Sequence, residues 1–188
     1  SVAIDRGDIL FANYGVSGPP ILQLSRKAAE ILRDMQEVYL KINMLDSMSK
    51  EELLGLLTRR LQNAGAKTIE FSLVGLINKR LIPVVLMEAG IEKLKRRAVD
   101  MKAREIDELT RILTDWRFKI RGTKGWNSAQ VTAGGVDISE IDPDTMESRL
   151  IPGLYFCGEM IDIDGKCGGY NLQWAWSSGF VAGQSAAL

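Results

Sequence analysis

Apolar and polar residues alternate along several short segments of the chain, and this pattern predicts β-strands. Residues 38–44 and 116–121 each place an apolar side chain at every second position, which is typical of a strand with one buried face. Residues 9–11 form a shorter apolar run before a turn. Residues 131–136 predict a strand that a glycine pair interrupts, and the continuous apolar run 153–158 predicts a strand buried on both faces.

Apolar positions recur with helical spacing in residues 21–32 and again near the end of the chain. Ser17 is the predicted cap of the first of these helices, which begins with two prolines. The last helix, residues 172–187, carries small residues along one side. Trp174 and Trp176 are two positions apart and face different sides of that helix, so we expect at least one of them to lie in the core.

Between residues 46 and 115 the pattern becomes entirely helical. Ser49 and Glu52 match a capping box at the start of the first helix in this region. The apolar positions predict four short amphipathic helices, near residues 50–61, 69–81, 83–90 and 106–113. Four such helices between predicted strands indicate a small helical subdomain inserted into a sheet.

Glycine becomes frequent after residue 129, and candidate chemistry appears there. The predicted strand 153–158 ends in Gly158-Glu159, and a polar loop then leads to Gly168-Gly169 and the last helix. This order places backbone amides and the positive end of a helix beside the carboxyl end of a strand, where open α/β sheets bind ligands. A phosphate or a reduced flavin suits such a place, although a tight turn alone also explains the glycine pair.

Composition narrows the chemistry available to the chain. Lys plus Arg and Asp plus Glu number 24 each, so we expect neither nucleic acid nor membrane as a partner. The chain has no histidine, which excludes Ser-His and Cys-His nucleophile pairs and most zinc sites, and we expect no metal. Two cysteines, with no apolar leader or spanning segment, favour a cytoplasmic protein.

The glycine-rich strings carry a family resemblance. Residues 153–165 and 168–179 closely resemble the C-terminal flavin-binding signature of a bacterial flavoprotein family. It is called the aminoacetone oxidase or NAD(P)/FAD-dependent oxidoreductase family, and it includes reductases that act on the steroid rings of bile acids. Residues 10–19, 122–126 and 131–137 are similar to further parts of that family's sequence.

This resemblance implies an α+β or α/β fold in which a β-rich insert with a helical subdomain interrupts a Rossmann-like FAD-binding domain. Residues 1–45 and 116–128 then belong to the β-rich insert, 46–115 form the helical subdomain, and 129–188 form the C-terminal part of the FAD-binding domain. No Gly-x-Gly-x-x-Gly follows a strand in this chain. We therefore expect the C-terminal part of a longer flavoprotein, which binds FAD poorly and is inactive by itself.

The resemblance also implies roles for individual residues. Glu159 would contact the ribityl hydroxyls or the pyrophosphate, or else be an exposed loop carboxylate. Backbone N–H groups at the start of the last helix would face O2 of the flavin. Gly134 and Gly135 would flank the flavin ring or simply form a β-bulge. Asp162 and Asp164 either contact the cofactor or solvate their loop. The expected cofactor-binding residues are Gly134, Gly135, Gly158, Glu159, Gly168, Gly169, Tyr170, Asn171 and Leu172.

These residues favour a flavoprotein that transfers hydride through FAD between NAD(P)H and a small organic substrate. The sequence does not identify the substrate, the catalytic acid or base, or the oligomeric state. Two alternatives remain open: a flavin-dependent oxidase that returns electrons to oxygen, and a noncatalytic module whose helices bind a protein partner.

Overall fold

The computed structural model describes residues 2–34 and 36–188; positions 1 and 35, both within the predicted 1–45 segment, lie outside the description. The chain divides into two compact units, one combining Ser1–Val38 with Arg121–Leu188 and the other formed by Tyr39–Ile120. The elements in chain order are β1 (Leu10–Ala12), β2 (Gly15–Ser17), α1 (Pro19–Arg33), β3 (Val38–Ile42), α2 (Lys50–Gln62), α3 (Ile69–Ser72), α4 (Ile82–Glu88), α5 (Ala103–Thr114), β4 (Trp116–Ile120) and α6 (Tyr170–Ala186). The finer division into 1–45, 46–115, 116–128 and 129–188 stays a prediction.

The first unit begins with an antiparallel hairpin of β1 and β2, in which Leu10 lies opposite Ser17. Ser17 therefore ends a strand, and its prediction as the cap of α1 was wrong. Gly18 takes the cap position instead, with a φ of 111° and no side-chain cap. A Cβ at Gly18 would overlap the carbonyl oxygen of Asp8, so only glycine allows the chain to turn from β2 into α1 at this point.

Most of the predicted helices are confirmed in the second unit, Tyr39–Ile120, which we call the helical unit. Ser49 donates its N–H to Glu52 Oε2 at 2.8 Å, and Glu52 donates its N–H to Ser49 Oγ at 3.2 Å, so the predicted capping box starts α2. Burying each leucine or isoleucine of the core contributes about 1.5–3 kcal/mol. Most of the fully buried side chains of this unit come from α2, α3, α4 and α5; they include Leu53, Leu57, Leu61, Ile69, Ile82, Leu86, Leu109 and Leu113.

The predicted helix 69–81 is much shorter in the structure, where α3 ends at Ser72. Gly75, beyond the C-cap residue Leu73, has a φ of 83°, so a right-handed helix cannot continue through this position. At its start, the N–H of Ile69 donates to the Arg96 carbonyl at 2.9 Å, so this segment also bonds to a distant part of the chain. Ile69 and Leu73 are buried as their spacing predicted, but the remaining apolar positions of the segment are only half-buried or exposed and the predicted helix length was wrong.

The predicted strands 131–136 and 153–158 do not form ladders. In the first, only Val136 pairs, in a parallel bridge with Ile161. In the second, Tyr155 forms one antiparallel bridge with Glu147, and residues 155–158 are only half-buried. Each segment meets a neighbour over one residue pair among the described residues, which is too few to build a strand.

The end of the chain has a small core beneath α6. Ile141, Met146, Ile161 and Ala182 are buried there, and Trp174 packs against them. Trp176 is 69% exposed, which confirms that the two tryptophans face different sides of the helix. No helix in the described part of the chain is both long enough and apolar enough to cross a membrane.

Candidate functional site

The first predicted glycine pair, Gly134-Gly135, lies beside the segment that follows Glu159. Val136 donates its N–H to the Met160 carbonyl at 2.8 Å, and Asp162 donates its N–H to the Val136 carbonyl at 3.0 Å. The Asp162 side chain in turn accepts the N–H of Gly134 at 3.0 Å. This carboxylate therefore holds the glycine-rich turn in place, and the N–H of Gly134 is already used within the protein.

Gly135 is required by close backbone contact. Its φ is 151°, and a Cβ there would lie 2.6 Å from the Met160 carbonyl oxygen and 2.8 Å from the Asp162 nitrogen. Gly134 differs, because a Cβ built on it meets no heavy atom of the described residues within 4 Å. The pair thus combines one tightly packed glycine with one that faces open space.

Gly158 is tied to α6 by both of its backbone polar groups. Its N–H donates to Ser178 Oγ at 2.9 Å, and its carbonyl accepts the indole N–H of Trp174 at 3.1 Å. Ser178 is only 2% exposed, so the hydroxyl is a buried partner fixed in the helix. Glu159 follows at once and is exposed. Gly158 therefore positions this turn on α6, and its contact with a cofactor stays a prediction, as does that of Glu159.

The loop between Ile163 and Gly168 is anchored by α1 and by the start of α6. Cys167 donates its N–H to Gln23 Oε1 at 3.0 Å, and Asp164 forms an ion pair with Arg26. These contacts fix the polar loop that leads to Gly168-Gly169 at the start of α6. Sequence patterns did not identify this role of α1, because Gln23 and Arg26 are far from the loop in sequence.

The start of α6 presents an open surface. Gly169 caps the helix with a φ of 92°, and a Cβ built on it meets no heavy atom of the described residues within 4 Å. Tyr170 and Leu172 are 63% and 62% exposed. Because the first N–H groups of a helix have no acceptor within it, these amides and the positive helix end are available to an electronegative edge of a ligand.

The residues in this region fit one part of a flavin. A Cβ on Gly134 or on Gly169 would meet no heavy atom of the described residues within 4 Å, and the amides of the first turn of α6 suit the pyrimidine edge of an isoalloxazine. The sequence has no Gly-x-Gly-x-x-Gly after a strand, and the expectation that this chain by itself binds FAD poorly stays a prediction.

Hydrogen bonds connect the segments that carry the predicted cofactor-binding residues. Two of the side chains that make these bonds, Asp162 and Ser178, were not among the predicted residues. Gly134 meets Asp162, and Gly158 meets Ser178 on α6. Gly165 donates its N–H to the Asn171 side chain at 2.6 Å. Gly165 belonged to the resembling string without an assigned role, and a serine among the small residues of α6 was the only signal for Ser178.

Comparisons with known proteins show which family the chain belongs to. Residues 17–185 match the family described as HI0933-like protein Rossmann domain. The chain is 37% identical over 186 residues to the 3-dehydro-bile acid delta(4,6)-reductase of Clostridium scindens, which covers 99% of this chain and 45% of that protein. It is 36% identical over 181 residues to the ribosomal RNA dihydrouridine synthase of Escherichia coli, covering 95% and 42%. The protein of that name from Haemophilus influenzae is 37% identical over 177 residues, covering 94% and 41%.

The chain thus spans less than half the length of these curated relatives. The family match covers most of the chain, including the glycine-rich segments and α6. Two small sheets, six α-helices and the parallel contact at Val136, all among the described residues, are consistent with a mixed α/β chain. The resemblance found in the sequence is confirmed: the chain belongs to the HI0933-like Rossmann domain family of FAD-binding oxidoreductases.

Proposed function

We propose that this chain forms the closing side of the flavin site in an FAD-dependent reductase that takes electrons from NAD(P)H and reduces a small organic substrate. The observation that carries this proposal is the open start of α6. There Gly169 leaves space that no described side chain fills, beside amides at the positive end of a helix of 17 residues. The family supports FAD as the occupant.

The proposed substrate class for this protein is based on the chemistry that the names of two relatives share. A 3-dehydro-delta(4,6) steroid has ring double bonds conjugated to a ketone, and uridine has a ring double bond conjugated to a carbonyl. Both names describe hydrogen addition across such a bond. We propose that the substrate of this protein is likewise a six-membered ring with a carbon–carbon double bond conjugated to a carbonyl.

The residues of this chain contribute position and electrostatics. When bound, FAD would supply two-electron hydride chemistry between NAD(P)H and the double bond of the substrate. The N–H groups of Tyr170, Asn171 and Leu172 would favour negative charge at the pyrimidine edge, and the positive helix end would add about 0.3–1 kcal/mol. Asp162 and Ser178 keep the flanking turns in place.

A second candidate function is reduction of uridine within ribosomal RNA. Two relatives that match over nearly all of this chain are named for that reaction. The two candidates share the flavin site and differ in what must be held beside it, a free ring or a nucleotide within a polymer.

The deciding experiment uses the gene product that contains these 188 residues. We expect a visible flavin spectrum, its bleaching by NADH or NADPH without oxygen, and its return on addition of a conjugated ring ketone. Return with uridine-containing ribosomal RNA and not with a steroid enone would select the second candidate. Rapid return with oxygen alone would indicate an oxidase, and absence of bound flavin would contradict the proposal. The 188-residue chain by itself is expected to bind FAD weakly.

A further inference from the structure

The two compact units carry opposite net charges, which the balance of the whole chain conceals. Tyr39–Ile120 contains 16 Lys and Arg against 11 Asp and Glu, whereas the other unit contains 8 against 13. The expectation of no nucleic-acid partner rested on the whole-chain balance. The surplus of positive charge on the helical unit attracts polyanions by itself.

Much of this surplus is concentrated between α4 and α5. Four of the five residues 93–97 are cations. Lys93, Lys95 and Arg97 are exposed, whereas Arg96 turns inward and pairs with Glu105 at 2.7 Å. Three positive side chains therefore project to solvent from one short stretch, and short stretches rich in Lys and Arg are typical of nucleic-acid contacts.

Backbone contacts hold this stretch against the start of α3. Thr68 forms an antiparallel bridge with Arg97, and Ala98 donates its N–H to the Lys67 carbonyl at 2.9 Å. Glu70 donates its N–H to the Leu94 carbonyl at 3.2 Å. The cations are thus presented from an ordered segment, and Lys67 is brought beside them.

An exposed aromatic ring completes the surface. Phe71 is 59% exposed, and Lys67 Nζ lies 6.0 Å from its ring centroid. We name Lys67, Phe71, Lys93, Lys95 and Arg97 the basic patch. No carboxylate within residues 2–34 and 36–188 forms an ion pair with its cations, and the adjoining acidic residues, Glu70 and Glu92, leave cations in excess.

We infer that the basic patch binds single-stranded RNA, with its cations on phosphates and the Phe71 ring stacked on a base. Cations combined with an exposed aromatic ring are the elements that proteins use to bind single strands without strong sequence preference. The inference rests on the second candidate function for its choice of RNA, and it gives that function a surface that holds the polymer. RNA binding at the patch needs no flavin.

The test measures the fluorescence anisotropy of a labelled single-stranded oligoribonucleotide of about 16 nucleotides with the 188-residue chain. The variant combining Lys93→Glu, Lys95→Glu and Arg97→Glu is expected to weaken binding at least about tenfold. It should also reduce the salt slope of log K by about 2, because each phosphate contact on a single strand contributes about 0.7. The matched control, Arg6→Glu with Lys124→Glu and Arg149→Glu, changes the net charge equally on the other unit and should bind nearly as the parent chain does.

A second variant separates stacking from charge. Phe71→Ala should weaken binding about tenfold and leave the salt slope unchanged. Circular dichroism checks that each variant folds.

The inference is overturned if the parent chain fails to bind this RNA at about 0.15 M salt, if the patch and control variants behave alike, or if phosphatidylserine vesicles are bound and RNA is not. RNA binding by a protein that proves to hold no flavin would leave this inference standing while the proposed reductase fails.

Discussion

Asn171 holds Gly165 through both polar atoms of its side-chain amide. Its Oδ1 accepts the Gly165 N–H at 2.6 Å, and its Nδ2 donates to the Gly165 carbonyl at 3.2 Å. A Cβ at position 165 would lie 2.8 Å from Tyr170 Cβ, so glycine is needed for this approach. The pair fixes the polar loop against the first turn of α6, where we place the flavin edge.

Replacing Asn171 with leucine keeps the size of the side chain and removes both hydrogen bonds. We expect the free energy of unfolding to fall by about 1–3 kcal/mol, because the polar groups of Gly165 lose their partner in a half-buried position. Hydrogen exchange should become faster at the amide of Gly165. Gln173→Leu is the control, since the Gln173 side chain bonds to the neighbouring Ser177 within α6 and not to Gly165. Equal protection at Gly165 in both variants would contradict the role of Asn171.

Replacing Gly169 with valine tests the open end of α6. A φ of 92° is unfavourable for a β-branched residue, so we expect a loss of stability of at least about 1–2 kcal/mol and loss of bound FAD from the flavin-containing gene product. Gly169→Asn is the matched variant, because asparagine tolerates a left-handed conformation better. The measurements are thermal unfolding and the flavin absorption of the purified protein. Full flavin occupancy in the folded valine variant would remove the basis of the proposed site.

The two glycines of the 134–135 pair should respond differently to alanine. Gly135→Ala places a Cβ 2.6 Å from the Met160 carbonyl oxygen, so the bridge between Val136 and Ile161 must open, at a cost of about 1–3 kcal/mol. Gly134→Ala meets no described atom within 4 Å and carries only the strain of its φ of 103°. Urea unfolding of both variants compares the two effects. A smaller loss for Gly135→Ala would mean that the close approach at Met160 is not maintained in solution.

Glu105 makes the stability of the helical unit depend on pH. Burial raises the pKa of this carboxyl, but hydrogen bonds from the Lys102 N–H and from Arg96, together with the positive charge of Arg96, hold the pKa below its usual value of 4.5. A carboxyl whose pKa is lowered by folding stabilises the protein above its unfolded pKa, and this stabilisation is lost as the pH falls through the folded pKa.

Glu105→Gln should therefore lower the melting temperature at neutral pH and flatten its decline between about pH 5 and pH 2. Glu88→Gln is the control, because Glu88 is exposed at the end of α4. Thermal unfolding followed by circular dichroism across this pH range gives the comparison. A decline as steep as that of the parent chain would show that Glu105 does not contribute.

The elements that the sequence predicted correctly depend on neighbours close in the chain. The capping box of Ser49 and Glu52, and the apolar face of α5, are determined within one or two helical turns. The predicted strand 153–158 was wrong because a strand also needs hydrogen-bonded neighbours distant in sequence, and the described chain gives Tyr155 only one. Ser17 was misassigned because its pairing with Leu10 in the hairpin, which the helix-capping pattern does not consider, decides its conformation.

The candidate site shows the same limit. Glycine frequency indicated which segments matter, and the structure connects those segments through Asp162, Asn171 and Ser178. These contacts join residues separated by 28, 6 and 20 positions. No local pattern encodes which carboxylate or hydroxyl receives a given glycine amide. The cofactor assignments of the glycines themselves stay predictions that the variants above can test.

The indole hydrogen bond from Trp174 to the Gly158 carbonyl gives the site an optical reporter of its own. Trp176 is exposed on the opposite side of α6 and is open to collisional quenchers, whereas Trp174 is partly buried against the core beneath the helix. The fluorescence that resists quenching therefore includes the emission of Trp174, beneath the Gly158 turn. Trp116 is also buried, so replacing it with phenylalanine would isolate the Trp174 emission. A ligand that settles at the start of α6 would alter that emission without any label attached to the protein.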